Sequence, residues 1–85
     1  MAQPLAARLL LVDDYEPFLQ SVCEMLSQVP GLQIIGGASD GLEAVQKAEK
    51  LQPDLILLDI GLPKLNGLEA ANRIKKVAPN SKIVF

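Results

Sequence analysis

The chain has 85 residues, a formal net charge of −2 and 49% hydrophobic residues, which is globular usage and excludes a disordered chain. One small domain over residues 1–85 is the expectation at this length; the acidic balance offers no basic stripe for nucleic acid, and no apolar run is long enough to cross a bilayer. A single cysteine, Cys23, excludes an intrachain disulfide, and with no signal-peptide pattern in the opening "MAQPLAAR" it predicts a cytoplasmic protein with no membrane contact.

The elements follow in strict alternation. "RLLLV" (8–12) is a continuous apolar run, as expected of a parallel strand covered on both faces. "EPFLQSVCEMLSQV" (16–29) places Phe18, Val22, Met25, Leu26 and Val29 at helical spacing, with Pro17 in the first turn and a "PG" turn behind. Cys23 lies on or near that inner stripe and reads as a buried structural thiol. "LQIIGGA" (32–38) predicts a second strand, at an edge because its polarity is mixed, with Gly36 and Gly37 as a flexible strand end. "SDGLEAVQKAEKL" (39–51) predicts a helix with Asp40 and Glu43 at capping-box spacing and Ala44, Val45, Ala48 and Leu51 facing inward.

"LILLD" (55–59) is another apolar strand that ends on an acid, followed by a loop of turn residues over 60–67. "NGLEAANRIKKV" (66–77) predicts a third helix capped by Asn66, with Leu68, Ala71, Ile74 and Val77 inward. "SKIVF" (81–85) begins a fourth strand. The order β-α-β-α-β-α-β implies a doubly wound parallel sheet with right-handed crossovers.

Two apolar strands end on carboxylates: Asp13 and Asp14 after the first, Asp59 after the third. The acid pair alone reads slightly better as a surface cap. The repeated pattern weighs more. In an open parallel sheet, ligands bind beyond the carboxyl ends of the strands where the strand order reverses. Three acids gathered there repel one another unless a cation compensates, and oxygen-only donors suit Mg²⁺. Tyr15, next to the pair, reads as partial packing of the loop.

"LLLVDD" (9–14), "DLILLDIGLPKLNGLEAANRIKK" (54–76) and "PNSKIVF" (79–85) together resemble the receiver domain of bacterial two-component response regulators. The resemblance implies a flavodoxin-like fold and names roles. Asp59 matches the phosphoacceptor, charged by a sensor histidine kinase. Asp13 and Asp14 match the acidic pair that holds Mg²⁺, Gly61 matches the residue whose backbone carbonyl is a metal ligand, and Pro63 and Gly67 match the loop around the acceptor. The stretch 54–76 is similar to receivers that precede a helix-turn-helix DNA-binding domain, so the implied output is transcriptional. The implied role is not that of an enzyme.

Receivers of this family continue with a helix, a strand ending in Lys and a last helix, and their fourth strand ends in Ser or Thr. Here Phe85 is the final residue, and Lys64 does not replace the missing Lys by motif. The expectations that follow are an incomplete sheet, impaired switching and self-association through the open fourth strand. Two other functions compete. One is an interaction or assembly module that keeps the fold without phosphorylation. The other is a Mg²⁺-dependent phosphohydrolase, which is disfavoured because Gly61 stands where such enzymes carry a second acid.

Overall fold

Four apolar runs of three to seven residues form one parallel sheet, with a helix between each consecutive pair. The computed structural model describes residues 7–59, 61, 62 and 64–85. The elements are β1 (Ala7–Val12), α1 (Glu16–Leu26), β2 (Leu32–Ala38), α2 (Gly41–Leu51), β3 (Leu55–Leu58), α3 (Gly67–Val77) and β4 (Lys82–Val84). The strand order β2-β1-β3-β4 puts the expected mixed-polarity strand at one edge. It also puts the reversal of winding between β1 and β3, where flavodoxin-like sheets bind their ligands.

β1 is an inner strand, and its residues Leu9 to Val12, which alternate between the two faces, are all buried. β2 pairs with it through a register shift: Leu9 faces Ile34, but Leu10 faces Gly36. Ile35 is the extra residue of a bulge. Gly36 and Gly37 are therefore paired strand residues, opposite Leu10 and Leu11, and not a loose end. A side chain on Gly36 would come within 3.3 Å of Leu51 Cδ1, so the glycine lets the end of α2 lie close to the sheet.

The main core cluster lies on one face. Leu10, Val12, Ile56 and Leu58 of the sheet cluster with Ala44 and Ala48 of α2 and Ala70, Ala71 and Ile74 of α3. Small alanines let the two helices approach each other and the sheet. Leu68, expected inward, is 57% exposed, and Ala70 takes its place. The buried stripe of α3 is Ala70, Ala71 and Ile74.

α1 departs further from expectation. Phe18, Met25 and Val29 are exposed. The half-buried stripe is Leu19, Val22, Cys23 and Leu26. The helix carries two adjoining apolar stripes, and the sheet covers only one. Cys23 is half-buried, not sequestered.

The helix starts explain themselves. Asp40 Oδ1 accepts the Glu43 amide at 2.8 Å, and Asn66 Oδ1 accepts the Glu69 amide at 2.9 Å. Glu43 returns to the amide of Ser39 at 2.8 Å, one residue before the cap itself. At the opposite end of the sheet the Arg8 guanidinium donates to the carbonyls of Leu51 and Gln52, at 2.7 and 2.8 Å. Gln52 ends α2 in the left-handed region, and its side chain donates to the Glu49 and Val77 carbonyls.

Candidate metal centre at the carboxyl ends of the strands

Register brings the acids together. Val12 pairs with Leu58, so β1 and β3 end side by side. The Asp59 amide then donates to the Val12 carbonyl at 3.1 Å, and the Asp13 amide to the Ala38 carbonyl at 3.0 Å. These ladder bonds extend past the strands and fix the backbone under both acids. One carboxylate oxygen from each of Asp13, Asp14 and Asp59 lies within 4.8 Å of the others. Asp13 and Asp59 are half-buried, and Asp14 is exposed.

Two of the carboxylates are oriented locally. Asp13 Oδ1 accepts the Tyr15 amide at 2.9 Å, and Asp59 Oδ1 accepts the Gly61 amide at 3.1 Å. No ion pair reaches any of the three among the described residues. Each like-charge pair at this separation costs about 1 kcal/mol even at the dielectric of water. The donor set is all oxygen, anionic and partly open to solvent, which fits a hard divalent cation that keeps some of its waters.

The surroundings are apolar on one side. A cleft of about 280 Å³ runs from Asp13 and Asp59 past Leu57 to Phe18 and Phe85. Tyr15, expected to pack in the loop, is 64% exposed, and only its amide is engaged with the site.

The loop after β3 is anchored beneath the site. Leu62 and Leu65 are buried in the core. Lys64 stands in the left-handed region with φ 66°, and its ammonium lies 3.5 Å from Asp40 Oδ2. The Glu43 amide and then the Lys64 charge hold the Asp40 carboxyl below its usual range. The Ser39 amide and Lys47 do the same for Glu43. Gly67, assigned to this loop, is the buried first residue of α3, and Pro63 lies outside the described residues.

The three acids singled out in the sequence lie together, and Gly61, expected to act through its carbonyl, meets Asp59 through its amide. Sequence reasoning missed the contact of Lys64 with Asp40 and the close approach of the loop to Gly41. The sole signal for the latter was a glycine directly after a capping aspartate.

The family model of the response regulator receiver domain matches residues 9–85. This chain belongs to the response regulator receiver family. It is 38% identical over 77 residues to the response regulator GacA of Pseudomonas viridiflava, covering 91% of this chain and 36% of that protein. It thus spans about a third of the length of such a relative. Among solved structures, it superposes on the response regulator domain of Thermotoga maritima CheB with a TM-score of 0.87 and 40% identity, covering 92% of this chain and 57% of that one. The CheX–CheY–BeF3–Mg²⁺ complex of Borrelia burgdorferi is similar with a TM-score of 0.84 and 28% identity, over 93% of this chain and 60% of that one. The receiver fold expected from the motifs is therefore the fold observed. No helix among the described residues of this receiver is long and apolar enough to cross a membrane.

Proposed function

We propose that this receiver takes a phosphoryl group on Asp59 from a sensor histidine kinase, in a Mg²⁺-dependent reaction, as the input of a cytoplasmic, transcriptional response regulator. The observation that carries this reading is the convergence of Asp13, Asp14 and Asp59 at the β1/β3 switch point. Asp13, Asp14, Asp59 and the Gly61 carbonyl would hold the ion. When bound, Mg²⁺ would offset the repulsion of the acids and of the incoming phosphoryl oxygens.

The chain's own residues supply the rest. The Gly61 amide holds one Asp59 oxygen, which leaves the other without a protein donor among the described residues and free to attack. That oxygen forms a bond to phosphorus as the N–P bond of the kinase's phosphohistidine breaks, and the leaving ring nitrogen takes a proton. The product is an aspartyl phosphate. Each chain accepts one group, so the role is that of an acceptor and not of an enzyme. Asp13, turned by the Tyr15 amide, is positioned to share the cation with Asp59.

The test is the intact mass of the chain after incubation with Mg²⁺ and acetyl phosphate, beside Asp59→Asn. A single phosphoryl adduct on the parent alone is expected. An adduct that persists in Asp59→Asn contradicts the assignment.

A further inference from the structure

Gly41 opens α2 in an ordinary helical conformation, so no positive φ calls for a glycine there. What calls for it is the loop after β3. A Cβ built on Gly41 would lie 1.8 Å from the Leu65 carbonyl oxygen and 2.6 Å from its carbon. Those are backbone atoms, which cannot rotate away as a side chain does. The Leu65 backbone rests directly on the Cα of Gly41.

A second contact joins the same two segments. Asp40, the cap of α2, pairs with Lys64 across 3.5 Å, and Lys64 holds a left-handed conformation that is strained for a non-glycine residue. The same segment contains Gly61, whose amide touches the acceptor carboxylate. Resting on the reading of Asp59 as acceptor, we infer that the first turn of α2 is the seat of the acceptor loop, and that Gly41 is a positioning residue for the metal and phosphoryl site. It touches neither ion nor substrate. It sets the height of the loop through Leu65, and the loop in turn sets Gly61 and the orientation of Asp59.

A merely structural glycine would lower stability and nothing else, so the test compares two variants at opposite ends of the sheet. Gly41→Ala pushes on the loop; Arg8→Met removes the guanidinium clamp on α2 at the other end. Two readouts are taken on each folded variant: Mg²⁺ affinity by calorimetry, and the rate of tryptic cleavage after Lys64.

Gly41→Ala is expected to weaken Mg²⁺ binding by about tenfold, the scale on which groups behind a metal ligand act, and to speed cleavage after Lys64. Arg8→Met is expected to lower the thermal midpoint while leaving both readouts at the parent's values. Parent-like Mg²⁺ affinity in Gly41→Ala, or an equal loss in Arg8→Met, overturns the inference. Should the parent itself bind no Mg²⁺, the reading of the acids fails, and cleavage alone decides the seat: faster cleavage in Gly41→Ala supports it, and unchanged cleavage overturns it.

Where Gly41→Ala does not fold, Lys64→Gln carries the test by sign. Removing a positive charge from the chain strengthens Mg²⁺ binding by electrostatics alone. Loosening the loop weakens it, and weaker binding is the expected result. Unchanged or tighter binding overturns the inference.

Discussion

The two ends of the sheet are built on opposite terms. At the amino end the polar groups are matched. The Asp54 carboxylate accepts the Arg8 amide at 2.8 Å, the Arg8 guanidinium covers the last carbonyls of α2, Gln52 ties α2 to α3, and the Ser81 hydroxyl reaches the Pro53 carbonyl. At the carboxyl end three acids share one crevice, with no cationic side chain among the described residues paired to them. One end closes the fold, and the other leaves like charges unbalanced among the described residues. Stability given up at a site in this way is a common mark of function.

The largest expected effect breaks the carboxyl end alone. Asp59→Asn abolishes phosphoryl acceptance from a small donor, read by intact mass, and leaves the fold in place by circular dichroism. Next comes the amino end. Arg8→Met removes charge-assisted bonds to two carbonyls and is expected to lower the unfolding free energy by about 1.5–3 kcal/mol, measured by urea denaturation, with Mg²⁺ affinity unchanged.

Asp13→Asn sharpens the contrast because its two effects have opposite signs. Mg²⁺ binding is expected to weaken by at least about tenfold, or ~1.4 kcal/mol. The metal-free fold is expected to gain up to about 1 kcal/mol from relieved repulsion. A metal-free Asp13→Asn that is less stable than the parent contradicts the view of this end as strained by like charge.

The smallest effect is one of pH. Asp40 and Glu43 have their carboxyls lowered in the fold, by the Glu43 and Ser39 amides and the nearby lysines. Lowered values mean that the stabilisation is present above the ordinary carboxyl range and is lost as pH falls below about 4. The double variant Asp40→Asn, Glu43→Gln is expected to show a shallower loss of thermal midpoint across that interval than the parent. An equal slope in both contradicts the assignment.

Much of this was legible in the sequence for physical reasons. The continuous runs at 9–12 and 55–58 carry a strong strand signal, and their terminal acids sit at a position fixed by topology, so the crevice followed from order alone. The caps Asp40 and Asn66 were equally plain, because a short polar side chain before an apolar period has few other uses. The inward face of α1 was not legible. Its apolar residues span two stripes, and the choice of Leu19 and Val22 over Phe18 and Met25 depends on the surface of the sheet. Leu68 failed for a related reason: the buried face of α3 runs through Ala70, Ala71 and Ile74, and only packing selects that face over the one with Leu68. The contacts of Arg8 and Gly41 are with residues more than 20 positions away; no local pattern announces the first, and only a glycine directly after a capping aspartate hints at the second.

The measurement that bears most directly on the site is the location of the phosphoryl group. The chain is charged with acetyl phosphate and Mg²⁺, reduced with borohydride, which converts an aspartyl phosphate to homoserine, and mapped by peptide mass spectrometry. Homoserine at position 59, dependent on both Mg²⁺ and donor, is the predicted result. Homoserine at position 13 or 14, or none at all while Mg²⁺ is bound, would contradict the assignment of Asp59 as the acceptor.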